Sequence, residues 1–387
     1  MNKILFIQVG VGFLHLNRSV ISQLKKHFPD TEIELFDILP VIRRDYLFLF
    51  INALYVLKEY FFDFITFRKS ISEFKYYFLG TTYIFNKFSE IVRKNVGTKK
   101  YRFILQSQCM CDSTGINNTP VVIYTDHTSL NNLNYRFTPR YQYLRTDAYI
   151  QLEKKTYQNA ALILVMSRNI HDSLINQYGI DPEKVHQVYV STNTPLPESI
   201  DQTKYVNQNI IFVGKDWKRK GGPLLVEAFK KIQQKLPDAT LTIIGCRPDV
   251  RIRNCEVLGE VSLQEVARRY NKATVFCLPT RREPFGVVFL EAMFNKLPIV
   301  TNNMGATPWL VQPGKNGYLL ENDVDQYANA LTELLKDPEK CRAYGESSFA
   351  IARENYTWDN VGQLMYSHIS KRINENHSVK TDKVNVN

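Results

Sequence analysis

Short apolar runs rich in β-branched and aromatic residues alternate with helical patterns along this chain of 387 residues. The first apolar run covers residues 4–9, a helical pattern follows over 14–28, and a second apolar run covers 33–38. Strands and helices that alternate in this order form parallel sheets covered by helices. We therefore predict an α/β fold.

The alternation occurs in two sets, which indicates two domains, as the length also favours. A polar stretch that contains Pro195 and Pro197 separates the sets and has the composition of a linker. Further strands are predicted over 103–106, 121–125, 162–166 and 185–190 in the first set, and over 209–213, 241–244, 274–278 and 298–300 in the second. The predicted organisation is a Rossmann-like domain over 1–194, a linker over 195–207, a second Rossmann-like domain over 208–356, a helix over 357–374 and a disordered tail over 375–387.

Composition excludes several classes of protein. Hydrophobic residues make up 44% and charged residues 22% of the chain, as in ordinary globular proteins and unlike disordered ones. Six cysteines are too few for a disulfide scaffold, and one residue separates Cys109 from Cys111 where metal and redox motifs have two. The few cysteines indicate a reducing compartment, so we expect a cytoplasmic protein. The first ten residues lack the features of a signal peptide. The net charge of +11 leaves nucleic acid, an anionic membrane and phosphorylated substrates open as partners.

A basic segment follows the predicted strand over 209–213 and precedes a predicted helix. Gly214 opens the segment, four of the six residues in 215–220 are cations, and two glycines close it. A turn of this kind between a strand and a helix presents backbone N–H groups and a helix N-terminus to an anion. A phosphate site is the favoured interpretation, and a solvated basic loop is the alternative.

Two glutamates flank the start of a later predicted helix. Glu283 lies in the loop after the predicted strand over 274–278, where open α/β sheets bind ligands. Glu291 follows eight positions later, about two helical turns on, within an apolar stretch. A buried carboxylate needs a hydrogen-bonding partner, which ligand hydroxyls would supply. An internal salt bridge is the alternative.

The segment around these glutamates resembles the signature of family 4 (group 1) retaining glycosyltransferases. Seven residues separate Glu283 from Glu291, and Pro-Phe-Gly follows the first glutamate. Further segments are similar to motifs of that family and occur in the expected order, at 214–221, 298–305 and 314–319. The resemblance implies a GT-B fold, in which two Rossmann-like doubly wound domains face each other across a cleft. It also implies that the final helix crosses back to the N-terminal domain.

The resemblance implies roles for residues of the C-terminal domain. Gly214, Lys215 and Lys220 would hold the diphosphate of a nucleotide sugar, and the lysines would offset the charge on the leaving group. The family often has Arg at the first lysine position, so Lys215 keeps the cation but loses the bidentate fork. Glu283 would contact the transferred sugar, and Glu291 would contact the ribose hydroxyls. Backbone contacts with the donor are implied at Phe285, Gly286, Val287 and Leu258.

In the N-terminal domain the resemblance is weaker. Gly10 and Gly12 resemble the family's glycine-rich loop near the phosphate and the acceptor, although such a pair is also a common helix-entry turn. His127 follows the predicted strand over 121–125 at a point where the family has a histidine that contacts the sugar. A structural histidine is the alternative. In the family an acid often follows this histidine, whereas here Asp126 precedes it.

The implied reaction is a transfer with retention of anomeric configuration that needs neither a metal ion nor a further cofactor. The donor would be a nucleotide-diphosphate sugar and the acceptor a saccharide or lipid-linked molecule, in cell-surface polysaccharide or glycolipid synthesis. A front-side displacement is implied, in which the leaving phosphate helps to deprotonate the acceptor. Two alternatives are a catalytically silent GT-B subunit and a basic nucleic-acid-binding protein. The second leaves the two glutamates unexplained, so no nucleic-acid partner is expected.

An aromatic, basic segment lies within the predicted N-terminal domain. Residues 43–103 contain 18 Phe and Tyr, and 12 Lys or Arg against 5 Asp or Glu. The run over 46–57 has no charged residue but is too short to span a bilayer. Amphipathic helices on an anionic membrane would suit this composition, which predicts peripheral contact at the inner face of the membrane. Aromatic core packing with a solvated basic face is the alternative.

Overall fold

The chain forms two compact units. The computed structural model describes residues 3–10, 14–43, 45–66, 76–136 and 144–384, apart from the side chains of 63, 64 and 375–384. Unit 1 contains the described residues of 1–133, 144–189 and 359–384, and unit 2 contains 134–136 and 190–358. The chain thus passes from unit 1 to unit 2 after Tyr189 and returns to unit 1 at Asp359.

Unit 1 is built on a six-stranded parallel sheet with the strand order β2-β1-β3-β4-β5-β6. Its strands are β1 (Lys3–Gln8), β2 (Glu32–Asp37), β3 (Phe103–Ser107), β4 (Val121–Thr125), β5 (Leu162–Val165) and β6 (Val185–Gln187). The inner strands are buried almost throughout, as expected of a parallel sheet covered by helices. The helices of this part of the chain are α1 (Leu14–His27), α2 (Leu39–Ile42), α3 (Tyr46–Thr66), α4 (Thr82–Val96), α5 (Asp147–Asn159) and α6 (Arg168–Asp172).

Unit 2 is built on a second six-stranded parallel sheet, with the order β12-β11-β10-β7-β8-β9. Its strands are β7 (Asn209–Val213), β8 (Thr240–Ile244), β9 (Cys255–Gly259), β10 (Val275–Leu278), β11 (Ile299–Asn302) and β12 (Gly317–Leu320). Its helices are α7 (Gly222–Lys235), α8 (Leu263–Lys272), α9 (Val287–Phe294), α10 (Thr307–Leu310), α11 (Val324–Lys336) and α12 (Pro338–Asn355). Successive strands add to one side of β7 and then to the other, so the direction of winding reverses between β7 and β10.

These two sheets confirm the predicted α/β class with two doubly wound domains. The sequence patterns predict neither β9 nor β12 as a strand. Both lie at edges of the sheet in unit 2, and most of their side chains are half exposed. An edge strand of this kind lacks the continuous apolar run by which buried strands are recognised.

The last helix, α13 (Trp358–Val384), packs on unit 1 from Asp359 onward. Arg372 Nε donates a hydrogen bond to the carbonyl of Ala161 at 2.9 Å. One apolar side chain per turn is buried, namely Val361, Met365, Ile369 and Ile373. The helix continues ten residues past its predicted end at residue 374, and residues 385–387 of the predicted tail lie outside the described residues.

Two histidine rings stack where α13 meets the edge strand of unit 1. The ring centroids of His186, on β6, and His368, on α13, are 4.1 Å apart, and the ring planes differ by 11°. Burial lowers the pKa of His368 to about 4, with the charges of His186 and Lys371 acting in the same direction. Burial also lowers the pKa of His186. The two neutral rings therefore form part of the contact between α13 and β6.

Acidification is expected to reduce the contribution of these two histidines to the free energy of unfolding, because the unfolded chain takes up protons at them that the folded protein does not. The unfolded pKa is about 6.5. The loss should therefore begin below that pH and be complete for His368 only below its folded pKa of about 4. Urea unfolding across this range measures it. His368→Phe keeps a ring against His186 and should lose less stability on acidification than the wild type, whereas the exposed His15→Phe should not differ from it. Equal acid sensitivity of His368→Phe and the wild type would contradict the assignment.

Candidate functional site

The carboxyl ends of β7 and β10 lie side by side in unit 2. The two strands pair in parallel, with Ile210 opposite Val275. The chain winds away from this point in opposite directions, which makes it the topological switch point of the sheet. Open α/β sheets bind ligands in the crevice outside such a point. The loops that follow these strands carry the basic segment and Glu283, two of the features that the sequence singles out.

Hydrogen bonds to backbone carbonyl groups join these two loops. The N–H of Arg281 donates to the carbonyl of Arg219 at 2.8 Å, and Arg219 Nη1 donates to the carbonyl of Arg282 at 2.7 Å. Gly221 has a φ of +78°, and a Cβ on it would lie 1.7 Å from the carbonyl oxygen of Pro279. Only glycine permits this approach. The basic loop after β7 is therefore fixed onto the loop that carries Glu283.

A buried ion pair joins the two loops. Lys220 Nζ donates to Glu283 Oε2, and the two residues are only 8% and 5% exposed. Arg219 Nη1 lies 4.0 Å from the same carboxylate oxygen. Burial lowers the pKa of Lys220, and the negative charge of Glu283 partly offsets this effect. The structure thus brings together two of the predicted catalytic residues, which neutralise each other.

Lys215, the other predicted lysine, lies apart from this pair. Its side chain is 79% exposed, and Nζ lies 3.3 Å from Glu260 Oε1. The adjacent Gly214 donates its N–H to the carbonyl of Ile244 at 2.9 Å. The basic loop therefore presents Lys215 and Lys218 to solvent and holds Lys220 in the interior.

Glu291 lies on α9, about one turn after the helix begins, and is 4% exposed. Tyr270, on α8, donates its hydroxyl to Glu291 Oε2 at 3.3 Å. Burial raises the pKa of Glu291 to about 7. Hydrogen bonds from Tyr270 and from the backbone N–H groups of Asn193 and Thr194, and the charge of Lys220, work against that rise. The carboxylate is thus held by the chain itself in the immediate surroundings of the buried pair.

The remaining donor-binding candidates surround the start of α9 and the end of β9. Gly286 precedes α9 with a φ of +85°, and a Cβ there would lie 2.7 Å from the Phe289 ring. Glycine is thus required by the turn itself. Phe285 is buried with its ring centroid 6.1 Å from that of Tyr356, whereas Val287 and Leu258 are half-buried.

The predicted residues Gly10 and His127 belong to unit 1, and Gly12 lies outside the described residues. Gly10 follows β1 and donates its N–H to Asp37 Oδ1 at 2.8 Å. His127 follows β4, and its Nε2 lies 3.2 Å from Asn132 Oδ1. Both stand at carboxyl ends of strands of the same parallel sheet.

Sequence reasoning missed two side chains that hold these candidates, and one further buried carboxylate in unit 1. Arg219 ties the two motif loops together, and Tyr270 contacts Glu291, as described above. Glu153, on α5, is 3% exposed and accepts hydrogen bonds from the Tyr178 hydroxyl and from the Ser129 N–H. Burial raises its pKa to about 7. Arg219 lay within the recognised basic loop, but Tyr270 and Glu153 occupy ordinary helical positions that carry no local signal.

Two family models match the chain. Residues 114–194 match the model described as Glycosyltransferase Family 4, and residues 207–337 match the one described as Glycosyl transferases group 1. Together these matches cover more than half of the chain.

Two relatives match the chain over about half of their own length. The chain is 30% identical over 182 residues to spore coat protein SA of Bacillus subtilis (strain 168), which covers 42% of this chain and 48% of the relative. It is 29% identical over 173 residues to a GDP-mannose-dependent alpha-(1-6)-phosphatidylinositol monomannoside mannosyltransferase of Mycolicibacterium smegmatis, which covers 40% of this chain and 45% of the relative. The chain thus spans about half the length of these two relatives.

Solved structures resemble the fold over nearly the whole chain. Sucrose-phosphate synthase from Thermosynechococcus elongatus has a TM-score of 0.68 at 15% identity, covering 96% of this chain and 99% of that one. HepE from Anabaena, solved with UDP and glucose, has a TM-score of 0.63 at 15% identity, covering 96% and 100%. At this identity the likeness concerns the fold.

Two doubly wound sheets of this kind, with charged motif loops at a switch point, define a protein of the GT-B class. The chain belongs to the family 4, or group 1, glycosyltransferases.

Replacing Lys220 by Met is expected to lower the free energy of unfolding by about 3 kcal/mol, because a buried carboxylate then loses its principal partner. The more distant Arg219 would remain near Glu283. Lys220→Met/Glu283→Gln should recover most of this loss, since neither charge is left unpaired. Urea unfolding of both variants measures the effect, with the exposed Lys215→Met as the control. A double variant no more stable than Lys220→Met would contradict the pairing.

Proposed function

We propose that this protein is a retaining glycosyltransferase of the hexosyl type. It transfers a sugar from a nucleotide-diphosphate sugar to a saccharide or lipid-linked acceptor, in cell-surface polysaccharide or glycolipid synthesis. The observation that carries the proposal is the buried pair of Lys220 and Glu283 at the switch point of unit 2, with Glu291 close by. Switch-point crevices are where doubly wound sheets bind nucleotides.

The diphosphate is proposed to bind at the basic loop. The loop offers Lys215 in solvent and Lys220 within the pair, and α7 begins directly after it at Gly222. A helix N-terminus and adjacent cations attract an anion, and they stabilise the charge that develops on a leaving diphosphate. These cations would do so without a metal ion. HepE, a structural neighbour, was solved with UDP and glucose, which supports a donor of this class.

The sugar and the ribose are proposed to bind the two glutamates. Once a diphosphate shares Lys220, the Glu283 carboxylate has acceptor capacity for sugar hydroxyls. Glu291 already accepts hydrogen bonds from a hydroxyl and from backbone N–H groups, and ribose hydroxyls are donors of the same kind. The backbone at Gly214, Leu258, Phe285, Gly286 and Val287 would complete the donor site.

The acceptor is proposed to bind unit 1, with Gly10, Gly12 and His127 near the reacting groups. In the proposed displacement the bond from the anomeric carbon to the phosphate oxygen breaks, and the acceptor oxygen attacks on the same face. The leaving phosphate oxygen takes the acceptor proton, so the configuration is retained. The mannosyltransferase relative acts, by its name, on a phosphatidylinositol monomannoside, which supports a lipid-linked acceptor and a cytoplasmic enzyme in peripheral contact with the membrane.

Nucleoside diphosphates are expected to raise the melting temperature of the protein, since a ligand that binds only the folded state stabilises it. A thermal-shift panel of UDP, GDP and ADP with their sugars identifies the base. Lys215→Gln should weaken the binding about tenfold, as expected for a charged hydrogen bond. Lys230→Gln, on α7 and 49% exposed, is the matched control. The diphosphate site is refuted if no nucleotide shifts the transition, or if both variants bind alike.

Glu291→Ala is expected to reduce kcat/KM for the donor by at least about tenfold, because the ribose hydroxyls lose a charged acceptor. Donor hydrolysis, measured as release of nucleoside diphosphate, provides the assay without a known acceptor. Glu227→Ala, whose side chain is 57% exposed, is the control and should retain activity. Full activity of Glu291→Ala would contradict the proposed contact between Glu291 and the ribose hydroxyls. Nucleotide binding with neither hydrolysis nor transfer would indicate a catalytically silent subunit instead.

A further inference from the structure

Helix α3 presents a row of large apolar side chains to solvent. Eight side chains on it are each at least 50% exposed: Tyr46, Leu47, Phe50, Leu54, Leu57, Phe61, Phe62 and Ile65. Since successive helical residues turn by about 100°, these positions fall on one side of the helix, with Leu47, Leu54 and Phe61 along its centre. We call this set the α3 face.

The opposite side of α3 is anchored in unit 1. Asn52 Nδ2 donates to the carbonyl of Phe78 at 2.7 Å, and Glu59 accepts from the N–H of Thr82 at 3.1 Å. The apolar side chains buried on this side are Phe48, Val56 and Tyr60. These bonds fix the rotation of the helix about its axis, so the α3 face is held outward.

Such a face is unusual for a soluble surface. Single exposed leucines are common, but monomeric proteins rarely expose contiguous apolar patches larger than a few hundred Å². A helix that is apolar on all sides is ordinarily covered on all sides, by protein or by lipid. The α3 face therefore requires an occupant.

We propose that the α3 face lies on the surface of an anionic phospholipid membrane. This inference rests on the proposed peripheral contact and names the surface that makes it. Among the described residues, no helix combines the length and apolar character that crossing a membrane requires.

Charge complementarity favours an anionic surface. Lys58 lies on the exposed side of α3, and Arg43 is exposed just before it. Asp45 Oδ1 instead caps the N–H of Phe48 at 2.9 Å, and Glu59 is turned to Thr82. A third carboxylate, that of Asp63, lies outside the described side chains. Arg43 and Lys58 therefore lie next to the α3 face, and cations beside an apolar face strengthen binding to anionic lipid.

A bilayer surface demands no shape complementarity from the α3 face, whereas a second copy of the chain does. Aromatic side chains such as those of Tyr46 and Phe62 suit the headgroup region of a bilayer.

The test is co-sedimentation of the full chain with vesicles of phosphatidylcholine containing phosphatidylglycerol, and with vesicles of phosphatidylcholine alone. The wild type should bind the anionic vesicles more strongly. Leu54→Gln/Phe61→Gln should reduce its partition coefficient at least about tenfold. The matched control is Leu196→Gln/Val206→Gln in unit 2, where the wild-type side chains are 53% and 66% exposed. It should bind like the wild type.

Three results would overturn the proposal. The wild type fails to bind the anionic vesicles, or the α3 variant binds them as well as the wild type does. Alternatively, sedimentation velocity shows that the wild type self-associates and the α3 variant does not, which would make the face an interface between copies. Nucleotide-induced thermal shifts of the same proteins report on the donor site separately. Loss of vesicle binding with an intact shift overturns only the membrane surface, and the converse overturns only the proposed function.

Discussion

The buried ion pair between Lys220 and Glu283 is the interaction on which the candidate site depends. Two charges in a protein interior cost several kcal/mol each unless they are paired at close range. The pairing requires β7 and β10 to be neighbours, because each strand delivers one of the partners in the loop beyond its carboxyl end. It also requires the close approach of Gly221 to Pro279, which a Cβ would prevent. The ion pair therefore depends on the strand order and on the backbone geometry of the two loops.

The same principle governs two further buried carboxylates, one in each unit. Glu291 is held by Tyr270 and by two backbone N–H groups, and in unit 1 Glu153 is held by Tyr178 and the Ser129 N–H. Burial raises the pKa of each glutamate to about 7. Each side chain is therefore poised between its charged and neutral forms near neutral pH, and the hydrogen-bond donors around it decide which form is held.

In unit 1, polar side chains are hydrogen-bonded in the interior at one place, whereas apolar side chains are exposed at another. A buried chain of hydrogen bonds runs from Asp37 through Gln8 and Asn17 to Ser107, at the carboxyl ends of β1, β2 and β3. Helix α3, by contrast, exposes apolar side chains on the outside. Buried polar groups that satisfy one another make this edge of the sheet rigid, whereas exposed apolar groups gain only from contact outside the chain. Unit 1 thus has a polar edge at the carboxyl ends of β1, β2 and β3, and an exposed apolar face on α3.

The sequence by itself determined the α/β class, the inner strands and the grouping of the candidate residues into two loops. These properties follow from apolar periodicity and from local turn chemistry, which neighbouring residues encode. Only the tertiary structure decided that Lys220 is buried against Glu283 while Lys215 is exposed, since both are lysines of one basic loop. It also supplied Tyr270 and Glu153, and the edge strands β9 and β12, whose half-exposed side chains leave no continuous apolar run. The aromatic, basic segment over 43–103 left core packing and membrane contact equally open from its composition. The structure separated the buried side of α3 from its exposed side, because the rotation of α3 is set by partners at Phe78 and Thr82, distant in sequence.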